Sequence, residues 1–423
     1  MSIAFPIVPW GNGTNIYEVN VRQYTKEGTL TAFIQHIPRL HDMGIDVLWL
    51  MPLTPISVEK RQGTYGSYYA ASSYVDIDPL YGTPDDFKEL IRTAHLLGMK
   101  VMIDWVANHT GYDHQWTKQF AHRYRKDDAG NFTGLYGWVD VIDLNYDLPE
   151  LRQAMIEAMQ FWVREYDIDG FRCDMARTVP VDFWLEARSE CDAIKPLLWL
   201  AECEIPAYHE VFDITYSWEW MRMLEKYMKG EAKLDDVKAV ITNYAQYPAG
   251  ARKLLFTSNH DENTYWGTEY EKYGVAAKAQ AVFTCTWPGI PLIYSGQEKP
   301  NYKRLAFFEK DAIDWEGPVE LHDFYKTLLS LRKSNKALQE NASVLLLQST
   351  HEKVLAYLCR RQADKVLVVL NTSGEVAEGS IDHPALTGKY TELFTHVPCD
   401  IKRTFNYSLK PGEHLVYYIT KKE

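Results

Sequence analysis

Over roughly the first 335 residues, short β-branched or apolar runs alternate with amphipathic helical stretches, and this alternation limits the folds open to the chain more than any other feature. The runs fall at Ile16 to Val21, Val47 to Met51, Lys100 to Ile103, Gly170 to Cys173, Leu198 to Ala201, Phe212 to Thr215, Leu254 to Thr257 and Ile290 to Tyr294. Alternation of this kind reads as βα units around a parallel sheet, and eight strands are what such a sheet needs to close on itself. The expected fold class is therefore α/β, a (β/α)8 TIM barrel.

The helical stretches carry start and stop signals. Thr83-Pro84-Asp85-Asp86 supplies an N-cap residue, a first-turn proline and acids near the positive end of the helix dipole, and Gly98 sits where that helix should stop. From Pro149, the residues Leu151, Met155, Met159, Trp162, Val163 and Tyr166 recur at helical spacing, which turns one apolar face toward the barrel. That stripe reads as core rather than as a cofactor site.

Two segments break the pattern. Residues 110–139, between the third and fourth strands, are rich in Gly, Asp, His, Tyr and Trp and form a short insertion, a length of loop that usually serves function. After Lys336 the helices cease and short strands follow one another, at Val344 to Gln348, Val354 to Arg360, Lys365 to Asn371 and His414 to Ile419. The expected division is a barrel over 1–109 and 140–336, the insertion over 110–139, and a C-terminal antiparallel β-sandwich over 337–423.

A formal net charge of −12 with no basic tract argues against a nucleic-acid partner. No segment reaches 18 uninterrupted apolar residues and the N-terminus lacks a signal-peptide pattern, so no membrane association is expected; a trimmed leader would leave secretion open. The six cysteines are scattered without metal-site spacing and read as free thiols, which favours a cytoplasmic location. Most of the 28 Tyr and 13 Trp belong to the core, and the rest are available to stack on the apolar faces of sugar rings. Nothing in the sequence speaks to the oligomeric state.

In an αβ-barrel the reactive groups gather at the C-terminal ends of the strands. Here the third run ends in Asp104-Trp105-Val106-Ala107-Asn108-His109, the fourth in Arg172 and Asp174, the fifth in Glu202, and the seventh in Asn259-His260-Asp261. Alone, each has a structural explanation as a helix cap or a core hydrogen-bonder. Together they do not, because crowding carboxylates costs stability unless their electrostatics serve a purpose.

DWVANH at 104–109, DGFRCD at 169–174, AE at 201–202 and NHD at 259–261 resemble, in order and barrel context, the four signature segments of the α-amylase family. IYEVNVRQY, GIDVLWLMPLTPI, YVDIDPLYGT and PGIPLIYSGQE are similar to supporting stretches of the same family, so the resemblance spans about residues 14–335. It implies a retaining glycoside hydrolase that cleaves α-glucosidic bonds, above all α-1,4, in maltooligosaccharides or starch-type glucans. By the same resemblance Asp174 is the nucleophile, Glu202 the acid/base and Asp261 the carboxylate that grips the distorted sugar. Arg172 holds Asp174 ionised, His109 and His260 bind sugar hydroxyls, and Asp104 supports them.

Tyr69, in GSYYAASSY, aligns with the family's ring-stacking tyrosine, with Tyr68 the other choice because the usual preceding histidine is absent. The chemistry requires no cofactor; Asn108 and Asp143 are the candidate ligands of a structural calcium. Met175, after the nucleophile, replaces the small or β-branched residue more usual there. Tyr265, Trp266, Tyr270 and Tyr273 form an aromatic-rich loop suited to stacking several glucose units. Two alternatives stand beside hydrolysis: a glucan transglycosylase or isomerase with the same catalytic set, and a non-catalytic carbohydrate-binding or transporter-associated relative, which would typically lack part of that set.

Overall fold

The computed structural model describes residues 5–248 and 250–420. Eight parallel strands close in the order β1-β10-β9-β8-β7-β6-β3-β2. These are β1 (Ile16–Val19), β2 (Val47–Leu50), β3 (Lys100–Trp105), β6 (Gly170–Cys173), β7 (Leu198–Ala201), β8 (Ile214–Tyr216), β9 (Arg252–Leu255) and β10 (Ile290–Tyr294). Almost every residue in them is buried, as expected for strands covered on both faces.

Two strand starts move from the expected positions, and five of the eight strands end elsewhere than expected. β8 begins at Ile214 rather than Phe212, and β9 begins at Arg252 rather than Leu254. In β9 the chain starts its strand on two cations that find partners: Arg252 bonds Glu340, and Lys253 donates from Nζ to the Tyr216 carbonyl at 3.1 Å. A search for apolar runs passes over such residues. β1 also ends early, because Val21–Tyr24 turns into a helical segment.

Local chemistry explains the helices. The Pro84–Leu96 helix opens with a reciprocal capping box: Thr83 Oγ1 accepts from the Asp86 amide at 3.2 Å, and Asp86 accepts from the Thr83 amide at 2.7 Å. The Pro149–Tyr166 helix buries the whole stripe from Leu151 to Tyr166 and ends on Asp167 in the left-handed conformation, φ 55°.

Between β3 and β6 the chain makes an excursion closed at its root by β4 (His109–Gly111) pairing antiparallel with β5 (Val141–Asp143), His109 opposite Asp143. The C-terminal part holds β11 (Ser343–Leu347), β12 (Val354–Arg361), β13 (Asp364–Asn371), β14 (Ala377–Asp382), β15 (Gly388–Glu392), β16 (Pro398–Ile401), β17 (Thr404–Leu409) and β18 (His414–Ile419). They form a six-stranded antiparallel sheet, β11-β12-β13-β18-β15-β16, and the pair β14-β17. Period-two alternation sorts its two faces. Ala356, Leu358, Leu367 and Val369 pack against Ile381, Phe405 and Leu409 between the sheets, while Tyr357, Cys359, Val366 and Val368 join the barrel core. Tyr357 lies edge-on to Trp287 and bonds Thr286, fixing the sheet to the barrel. All six cysteines are unpaired, and among the described residues no helix is long and apolar enough to cross a membrane.

Candidate active site

Strand register assembles the site. Asp104 on β3 lies directly opposite Arg172 on β6, and Asp174, two residues on, emerges just past the strand end on the same face. The Asp174 amide bonds the Trp105 carbonyl at 2.9 Å, and the Glu202 amide bonds the Cys173 carbonyl at 3.0 Å, so sheet hydrogen bonds continue to the reactive positions.

Arg172 is the hub. Its Nη1 stands 2.8 Å from Asp174 Oδ1 and 3.0 Å from Asp104 Oδ1, and its Nη2 3.1 Å from Glu202 Oε2. Nε donates to the Tyr216 hydroxyl at 3.2 Å, and the Trp49 ring lies 5.0 Å from the guanidinium carbon. Glu202 also accepts a 2.7 Å bond from the amide of Met175, whose backbone sits in the left-handed region at φ 42°.

Three carboxylates around one cation cannot all ionise freely. Burial, opposed by Arg172 and reinforced by the charges of Asp174 and Asp261, pushes Glu202 up to about 7. Burial also raises Asp174 and Asp104, against the pull of Arg172. Arg172 therefore restrains the rise of Asp174 rather than taking it below the ordinary carboxylate range.

Asp174, Glu202, Asp261, His109, His260 and Tyr69 line one open cleft of ≈ 830 Å³ at the C-terminal end of the barrel, while Arg172 and Asp104 stand behind its floor. Of the two tyrosines, Tyr69 faces the cleft. Its hydroxyl donates to Asp104 Oδ2 at 3.1 Å and meets His260 Nε2 at 2.8 Å, and its ring stacks with Phe307. Tyr68 is turned away, bonded to Arg22 Nε at 2.9 Å with the guanidinium over its ring. Burial lowers His109 to about 4, so it is neutral. Glu204 also borders the cleft but is held by the Tyr244 hydroxyl and the Glu219 amide, at 2.8 and 2.7 Å.

The aromatic loop divides. Tyr265 and Trp266 are 50% and 62% exposed and border the cleft. Tyr273 is fully buried in the core, and Tyr270 packs on Tyr302 outside the cleft, because a capping box at Thr268 starts a helix over Glu269–Tyr273 that turns both away. Asn108 presents its amide nitrogen to Asp143 Oδ1 at 3.4 Å and to His109 Nδ1 at 3.2 Å. Calcium gathers about six to eight oxygen ligands. Among the described residues no group of three or more His, Cys, Asp or Glu could hold a metal. The pair forms a hydrogen bond at the root of the insertion.

Sequence reasoning missed Glu18, Trp49 and Tyr216, which build the floor of the site. Glu18 left a signal, a carboxylate inside the otherwise apolar run IYEV. Trp49 and Tyr216 left none, since aromatic residues in barrel strands are ordinary core.

The likenesses to known proteins agree with this geometry. Residues 11–133 and 127–196 match the family profile described as Alpha amylase, catalytic domain. Alpha-amylase 3 of Dictyoglomus thermophilum is 27% identical over 442 residues, spanning 86% of this chain and 85% of that protein. The crystal structure of a noncanonic maltogenic α-amylase, AmyB of Thermotoga neapolitana, is similar with a TM-score of 0.89 and 31% identity, over 97% of this chain and 99% of that one. An α-amylase of Lactobacillus plantarum gives 0.87 and 28%, over 96% and 99%. With a barrel, strand-end carboxylates and full-length likeness all in agreement, this chain belongs to the α-amylase family of glycosidases.

Proposed function

We propose that the cleft hydrolyses α-1,4 bonds of maltooligosaccharides or starch-type glucans, with Asp174 as nucleophile and Glu202 as general acid and then base. The observation that carries this reading is the single guanidinium spanning both carboxylates, 2.8 Å from one and 3.1 Å from the other. An inverting enzyme needs its carboxyls about 6.5–9.5 Å apart to seat a water, whereas a retaining one keeps them at about 5 Å. Two groups tied to one planar fork suit retention.

Asp174 attacks the anomeric carbon while Glu202, protonated because of its raised pKa, gives its proton to the leaving oxygen. The ionised Glu202 then takes a proton from water, which displaces Asp174 and restores both groups. The Met175 amide and Arg172 support the ionised form in this second half. Asp261 and His260 lie where they can hold sugar hydroxyls, and Tyr69 walls the reacting ring. The exposed Tyr136, Trp138, Tyr265 and Trp266 at the cleft border offer stacking surfaces for further glucose units.

Trapping tests the assignment. A fluorinated α-glucosyl fluoride slows turnover of the glycosyl-enzyme, and digestion followed by mass spectrometry should place the added sugar on the peptide carrying Asp174. Asp174→Asn, an isosteric change, should lower turnover of maltoheptaose by at least about 10⁴ with the fold intact. Label on another carboxylate, or more than a few per cent residual activity, would refute the role.

A further inference from the structure

One buried carboxylate on the floor of the cleft has no part in the two chemical steps. Glu18, on β1 between Trp49 of β2 and Tyr294 of β10, is fully buried. Its Oε1 stands 2.5 Å from His260 Nδ1, and its Oε2 has no hydrogen-bond partner. Among the described residues His260 is its only salt-bridge partner. A buried carboxylate with an idle oxygen is costly. An amide or backbone carbonyl would hold a neutral histidine ring as well, so the charge itself needs a reason.

Proton counting supplies one. The Tyr69 hydroxyl has a single hydrogen, and it goes to Asp104 Oδ2. With that donation only lone pairs face His260 Nε2 at 2.8 Å, an arrangement that calls for a hydrogen on Nε2. Nδ1 faces the Glu18 carboxylate and must carry one too. A ring that donates from both nitrogens is an imidazolium.

We propose that Glu18 is a positioning residue for hydrolysis: it keeps His260 doubly protonated, so that a fixed cation stands beside Asp261 and locks Tyr69 onto Asp104. The proposal rests on the cleft being the reaction site, as argued above. His260 Nε2 is 3.5 Å from Asp261 Oδ2, so the cation faces the carboxylate expected to grip the sugar. The groups facing His260 are Glu18 from β1, its neighbour Asp261, Tyr69 with Asp104 of β3 behind it, Arg172 from β6, and the uncharged edge of Trp49 from β2. Burial and Arg172 oppose the charge, and Asp261 and Glu18 outweigh them, raising His260 to about 9. His109, buried with no carboxylate of this kind, falls to about 4.

The test is Glu18→Gln in the full chain, with Glu18→Asp as the charge-retaining partner. In histidine-labelled wild type, the ring resonance of His260, identified by its loss in His260→Asn, should show both nitrogens protonated at pH 7; in Glu18→Gln the ring should be neutral. The ratio of wild-type to Glu18→Gln kcat on maltoheptaose cancels the titrations of Asp174 and Glu202. It should grow from near one at about pH 5 to about 10–100 at pH 7.5, the range expected for losing one charged hydrogen bond. KM should change less than kcat, and Glu18→Asp should recover part of the loss.

A neutral His260 in wild type at pH 7 overturns the proposal, and this holds even if no Glu18 variant folds. So does a charged ring in Glu18→Gln, or a ratio independent of pH. Failure of the catalytic assignment would appear separately, as activity surviving in Asp174→Asn.

Discussion

Replacing Glu202 by glutamine should disable the enzyme and stabilise it at the same time. The side chain is 17% exposed and its pKa stands at about 7 against an ordinary 4.5. At about 1.4 kcal/mol per pH unit, the ionised form costs the fold roughly 3 kcal/mol. The folded chain holds this proton more tightly than the unfolded one. The contribution is therefore fully present below about pH 4.5, is lost as pH rises through about 7, and leaves the whole cost standing above that. Glutamine keeps the shape and never ionises. In urea unfolding the variant should match wild type near pH 4.5 and exceed it by about 1–3 kcal/mol at pH 8, the lower figure allowing for weaker bonds to Arg172 and Met175.

Activity should move the other way, and unevenly. A sugar alkoxide leaves badly without a proton, so hydrolysis of maltoheptaose should collapse. An aryl α-glucoside of a strongly acidic phenol needs no acid to form the glycosyl-enzyme, and should lose far less in that first step. Water then lacks its base, so azide should restore turnover and yield the α-glucosyl azide. Equal losses on both substrates without azide rescue, or a variant no more stable than wild type at pH 8, would refute the reasoning; Glu204 or Asp261 would be the next acids to test.

Two further substitutions probe the frame. Arg172→Lys keeps one charge but cannot span Asp104, Asp174 and Glu202; kcat/KM on maltoheptaose should fall at least about a hundredfold, with a lower melting temperature because buried carboxylates lose their partner. Steady-state kinetics retaining half the activity would contradict that. Trp266→Ala, at a 62% exposed position, should raise KM for maltoheptaose about three- to tenfold with kcat and melting temperature nearly unchanged. An unchanged KM would mean that Trp266 carries no sugar.

Much of this was legible in the chain alone because it depends on short-range rules. Three of the eight barrel runs, those of β6, β7 and β10, are bounded in the structure where apolar character begins and ends, since a strand covered on both faces needs little else. The Thr83 capping box and the Leu151 to Tyr166 stripe are matters of neighbouring residues and helical period. In the C-terminal part the four strands read from the sequence are the strongest apolar runs of the six-stranded sheet. Thr404–Leu409 alternates exposed and buried throughout, but only half of its residues are apolar, so a search for apolar runs does not find it. The strand-end positions of Asp104, Arg172, Asp174, Glu202 and Asp261 could likewise be picked out one segment at a time.

What the tertiary structure alone decided is where those segments meet. Closure of the barrel puts β1 beside β10 and so brings Glu18 against His260, 242 residues apart, a partnership no local pattern carries. It turns Tyr69 to the cleft and Tyr68 to Arg22, and Trp266 outward and Tyr273 inward, choices made by the helix and loop geometry around chemically similar side chains. It also sets the electrostatics: the same carboxyls would be ordinary acids in water, and only shared burial around Arg172 raises Glu202 enough to hold a proton near neutrality.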